Sequence, residues 1–121
     1  PLELENVRLL KEAGVLLLAG TDVGVPLQVP GISLHVELGR LVEAGLTPLE
    51  ALQTATLNPA RVLGMTDSLG TVEAGKLADL VLLDADPLAN IRNTQKIRAV
   101  VANGQLYRRA QLDQLLAGSK R

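Results

Sequence analysis

The 121-residue chain has no cysteine, phenylalanine or tryptophan, and Tyr107 is its only aromatic residue. Without cysteine there is no disulfide, no thiolate nucleophile and no cysteine metal site, and the redox state of the compartment leaves no mark. Without large rings, a core must be assembled from Leu, Val, Ile and Ala, which bury less area apiece. An excess of one charge is missing too. Twelve basic against 13 acidic residues give a formal net charge of −1, with no basic patch of the kind that holds nucleic acid. No run of about 18 apolar residues occurs, and Pro1-Leu2-Glu3-Leu4-Glu5 is not a basic leader. Neither a membrane span nor a signal peptide is therefore expected, and the cytoplasm is the expected location. What is present is 47% apolar residues, the content of a soluble globular domain.

The first half reads as helices around one greasy segment. Leu2 to Ala13 places apolar residues at 2, 4, 7, 9, 10 and 13, with Glu5/Arg8 and Arg8/Glu12 at pairing distance, and Gly14 stands where a left-handed cap ends a helix. Val15-Leu16-Leu17-Leu18 is continuously apolar, as a parallel strand covered on both faces is, and leads into AGTDVG. Val25 to Ile32 holds two prolines and a glycine and predicts a loop. A helix is predicted from near Ser33, with Leu34, Leu38, Leu41 and Val42 on one face, to Ala44-Gly45. Thr47-Pro48-Leu49-Glu50 is a capping box with proline at the first helical position, and Asn58-Pro59 opens a short helix that Gly64 closes.

From Ser68 the pattern turns to strands. Asp79 to Asp84 and Ile97 to Ala102 are runs of branched apolar residues, and Asn103-Gly104 joins the second to Gln105 through Arg109. An Asn-Gly pair between two such runs predicts a type I′ hairpin, which places Tyr107 across from Val100. Gln111 to Leu116 predicts a terminal helix before a frayed tail.

Asp22 is the residue that invites chemistry: a carboxylate at the carboxyl end of a buried strand is where α/β proteins place reacting groups. Its alternative is a strand-end turn in which the carboxylate accepts backbone N–H groups. His35 and Glu37 follow on a helix but on different faces, because neighbours on one face are three or four residues apart. Asp79, Asp84 and Asp86 read as turn and cap residues, and Gly75-Lys76 lacks the upstream glycine of a phosphate loop and reads as a turn.

The stretches AGTD, HVELGRLVEAGLTPLEALQTATLNPARVLG, LGTVEAGKLADLVLLDADPL and VVANGQLY, in that order, resemble the carboxyl-terminal third of the amidohydrolase superfamily, nearest its imidazolonepropionase-like and prolidase-like members. The resemblance implies an α/β fold: the last strand and helices of a (β/α)8 metal-dependent hydrolase barrel over residues 1–66, and a small β-sheet, part of a composite sandwich, over 67–110. Residues 111–121 would add a terminal helix and tail. It implies that Asp22 is the strand-eight aspartate, which binds a divalent metal, zinc being the expected ion, and takes the proton of the attacking water. It places His35 and Glu37 on the substrate side, with His35 a second candidate metal ligand. The activity it implies is hydrolysis of amide, cyclic amide or ester bonds in a small molecule.

The family's first-strand HxH pair, its fourth-strand lysine or glutamate and its histidines of strands five and six have no counterpart in these residues, and His35 is the only histidine. The alternative expectation is therefore a non-catalytic folded fragment that self-associates. A homo-oligomer is expected on either reading, because an uncovered apolar strand edge invites pairing with another chain.

Overall fold

The computed structural model describes residues 2–22, 24 and 29–118. Helix α1 spans Leu2–Glu12 and carries both anticipated ion pairs, Arg8 with Glu5 and with Glu12. It ends in a pair of bonds, Gly14 N–H to the Lys11 carbonyl and Val15 N–H to the Leu10 carbonyl, which together satisfy two orphan carbonyls of the last turn. Helix α2 spans Ile32–Glu43 and ends in the same way at Gly45, where φ is +107°, a conformation that only glycine adopts without strain. The loop expected over Val25 to Ile32 lies at 25–28 outside the described residues, and its last residue already belongs to α2.

Helix α3 is Pro48–Thr54. The Thr47 hydroxyl accepts from the Glu50 backbone N–H, and the Glu50 carboxylate accepts from the Thr47 N–H, so the capping box forms as anticipated. Helix α4 is Leu57–Val62, beginning one residue before Asn58-Pro59. The core lies among these helices: Leu38, Leu41, Leu46 and Ala51 are buried together with Ile91, and Val7, Leu17 and Ala19 pack against them.

Strands β1 (Leu80–Leu83), β2 (Ile97–Ala102) and β3 (Gln105–Arg108) form one antiparallel sheet in that order. Val100 faces Tyr107, as the hairpin requires. The turn has positive φ at both Asn103 and Gly104, +49° and +77°. A register shift at Leu82/Leu83 bends β1 against β2. Between β1 and β2 runs a 3-10 helix, Ile91–Gln95, which no local pattern announced. It carries Ile91 into the core. Helix α5 spans Arg109–Gly118, longer at both ends than anticipated, and its first turn is braced by an Arg109–Asp113 ion pair.

One expectation fails. Val15 to Leu18 is not a strand buried on both faces: residues 15–20 carry no strand assignment, and Val15, Leu16 and Leu18 are 47, 44 and 45% exposed. The physical reason is that a strand is a pairing, not a property of one segment, and no described residue forms a ladder with this one. The three strands present belong to the antiparallel sheet.

Candidate functional site

The AGTD segment is held by three different helices, each through one backbone group. Asn58 of α4 donates its side-chain N–H to the Leu17 carbonyl (2.9 Å). The Ala19 N–H donates to the Thr54 carbonyl at the end of α3 (3.0 Å). The Gly20 N–H donates to Glu37 Oε1 on α2 (2.7 Å). Together these bonds replace the missing ladder and fix the course of the chain into Thr21 and Asp22.

Asp22 itself has φ +48°, in the left-handed region that Asp tolerates better than most residues. Its side chain is exposed and makes no hydrogen bond or ion pair with the described residues, so it caps none of their backbone N–H groups. A carboxylate presented at a strand-like terminus, without an internal partner, is available to act on something that is not part of these residues. By contrast, Asp79, Asp84 and Asp86 are engaged in structure. Asp79 accepts from the Asn103 N–H, Asp86 from the Leu88 N–H, and Asp84 pairs with Arg98.

His35 faces away from this segment. Its Nδ1 lies 2.9 Å from Thr94 Oγ1 on the 3-10 helix, and that hydroxyl donates its only proton to the Ile91 carbonyl (2.8 Å). Thr94 can therefore only accept from the ring, which assigns the proton to Nδ1 and leaves a lone pair on Nε2. Partial burial pushes the imidazole pKa below its ordinary 6.5, so the ring is neutral at pH 7.

Glu37 points to the AGTD side, on a different face from His35, as the helical spacing predicts. Its Oε1 takes the Gly20 N–H, while Oε2 is buried and has no partner among the described residues. Glu37, Gly20 and Thr21 line a cleft of about 380 Å³ together with Val29, Ile32 and Val36. Sequence reasoning singled out Asp22, His35 and Glu37 but not the groups that hold His35 and the segment leading to Asp22. Thr94 lies 59 residues from His35, and Asn58 had only the look of a helix start.

Asp22 and His35 are two potential ligands, and a catalytic zinc ordinarily takes three from protein. No group of three or more His, Cys, Asp or Glu side chains able to hold a metal gathers among the described residues. By themselves, then, these residues do not fit a complete metal centre. No described helix is long and apolar enough to cross a membrane.

The class follows from comparison with known proteins. Residues 2–107 match the profile of the amidohydrolase family, and the chain belongs to that family. It is 40% identical over 81 residues to the imidazolonepropionase of Geobacillus sp. (strain WCH70), covering 65% of this chain and 19% of that protein. To the N-substituted formamide deformylase of Arthrobacter pascens it is 32% identical over 120 residues, covering 89% of this chain and 22% of the relative. Among solved structures, it superposes on a Xaa-Pro dipeptidase with bound methionine in the active site at a TM-score of 0.79 and 35% identity, covering 87% of this chain and 25% of that one. The chain thus spans about a quarter or less of the proteins it matches, all three of them enzymes, and the family generally uses divalent metals.

Proposed function

We propose that these residues are part of a metal-dependent hydrolase acting on amide, cyclic amide or ester bonds of a small molecule, with Asp22 as its catalytic carboxylate. The observation that carries this reading is the threefold tethering of Leu17, Ala19 and Gly20, which delivers an exposed Asp22 carboxylate, without a partner among the described residues, to the end of the AGTD segment. The family supports the reaction class. In it Asp22 takes the proton from the attacking water as the oxygen adds to the carbonyl carbon, and returns it to the leaving nitrogen or oxygen as that bond breaks. Glu37 lines the substrate side, whereas His35, bonded to Thr94, stands on another face of the same helix with its Nε2 lone pair free to accept a hydrogen bond. Asp22 is the ligand this chain would contribute to a divalent ion, zinc first among the candidates, while His35 is turned to Thr94 and not towards Asp22. The remainder would come from elsewhere. Barrel strand eight is the proposed origin of Val15 to Gly20, with the sandwich sheet beginning after residue 66 and the terminal helix after residue 110. The cytoplasm is the proposed location.

A second reading, a non-catalytic module that self-associates, is favoured by one observation: no group able to hold a metal forms among the described residues. Exposure of Leu9, Leu10, Val15, Leu16 and Leu18 supports association, as a dimer, on either reading. Mass in solution and metal content measured on one sample separate the two. A bound divalent ion, near one per chain, supports the hydrolase; a metal-free oligomer without hydrolysis supports the module.

A further inference from the structure

Glu37 divides its carboxylate between two tasks. Oε1 is spent on the Gly20 N–H at 2.7 Å, two residues before Asp22. Oε2 is withdrawn from water and has no hydrogen-bond partner among the described residues. An oxygen that shares a negative charge and is left unpaired in a buried position is costly unless a donor reaches it. Arg40, in the cleft lining, places its Nη1 on Glu43 at 2.9 Å, and the Ser33 hydroxyl accepts from the Val29 N–H at 2.8 Å; neither side chain bonds to Oε2. The cleft into which Glu37 looks, about 380 Å³, falls within the range of about 300–1,000 Å³ that small-molecule sites occupy. Val29, Ile32 and Val36 give it an apolar wall.

From this geometry we propose that the cleft is a recognition subsite for an N–H donor, an ammonium or an amide N–H, carried on a short aliphatic group, with Glu37 Oε2 as its acceptor. The aliphatic part packs on Val29, Ile32 and Val36, and a small turn of the Glu37 carboxylate uncovers Oε2 to the donor. Because the same carboxylate holds Gly20 through Oε1, filling the subsite tightens the segment that carries Asp22. Glu37 is thus a specificity residue towards the ligand and a positioning residue towards Asp22. The inference rests on the hydrolase reading only in identifying the bound group as part of a substrate; binding does not require hydrolysis.

The test uses three probes of matched shape on the full chain: butylammonium, N-butylformamide and butyl formate, of which only the first two carry an N–H. Each is titrated while the backbone amide resonances of Gly20, Val36 and Glu37 are followed by NMR. Saturable shifts with butylammonium, N-butylformamide or both, and none with butyl formate, are expected, and the probe that responds identifies the donor as charged or amide. Glu37→Gln keeps an oxygen for the Gly20 N–H but turns an NH2 into the cleft. Its Gly20 amide should stay protected from exchange while affinity for the responding probe falls by at least about tenfold. Saturable probe binding by a wild-type chain that hydrolyses nothing would strike the hydrolase reading alone, because binding does not require Asp22 to act. Equal response to butyl formate, no saturable response to either N–H probe, or undiminished binding by Glu37→Gln would overturn the proposal.

Discussion

Asn58 and Leu17, 41 residues apart, are joined by a 2.9 Å hydrogen bond from the asparagine side chain to the leucine carbonyl. Asn58 is 9% exposed, so neither group has easy recourse to water. Removing the donor leaves a carbonyl unpaired beside the core. Asn58→Ala should therefore cost about 1–3 kcal/mol in urea unfolding and should speed amide exchange at Ala19 and Gly20. An unchanged unfolding midpoint would mean that the bond does not anchor the segment.

Glu50 gathers the Thr47 N–H (2.7 Å), the Lys11 ammonium (2.9 Å) and the Thr47 hydroxyl (3.0 Å) on one oxygen, tying α1 to the start of α3. The Thr47 backbone bond, then the Lys11 and Thr47 side-chain bonds, lower its pKa from 4.5 to about 2. The folded state thus binds its proton less readily than the unfolded chain. The stability this contributes is present above pH 4.5 and is lost as pH falls towards 2. Both side chains keep contact with water, so screening reduces the contribution to about 1 kcal/mol. Titration of the Glu50 side-chain carbon signal should show a midpoint near 2, and Glu50→Gln should remove this part of the acid dependence. A midpoint near 4.5 would contradict the network.

At the hairpin, Gly104 has φ +77° and its N–H donates to the Ala78 carbonyl at 3.1 Å. A β-branched side chain at this φ is strained. Gly104→Val should destabilise the fold by about 1–3 kcal/mol, read as a lower thermal midpoint, while Asn103→Gly should be nearly neutral. A Val variant as stable as the parent would contradict the type I′ turn.

What was legible in the sequence was what is local. Thr47, Pro48 and Glu50 specify a cap within four residues, and Asn103-Gly104 sets the register that puts Tyr107 opposite Val100. Helical spacing alone separated the faces of His35 and Glu37, and the structure turns the first to Thr94 and the second to Gly20. What was not legible depends on distant chain. Apolar continuity at Val15 to Leu18 speaks of burial but cannot say whether a neighbouring strand is there to pair with it. The 3-10 helix was invisible because Ile91 and Thr94 acquire their meaning from α2, more than 40 residues earlier. Glu37 was recognised by its place in a motif, yet the division of labour between its two oxygens is a matter of three-dimensional packing.

The central claim is that Asp22 is the proton acceptor of a hydrolytic site. It is tested most directly by comparing hydrolysis of an N-substituted formamide and a cyclic amide by wild type and Asp22→Asn, in zinc-supplied protein that includes the segments contributing the remaining ligands. Asparagine keeps the size of the side chain but cannot take the proton, so hydrolysis should fall by about 10²–10⁴-fold with the fold intact by circular dichroism. Hydrolysis by Asp22→Asn at the wild-type rate, or none by either protein, would contradict the account.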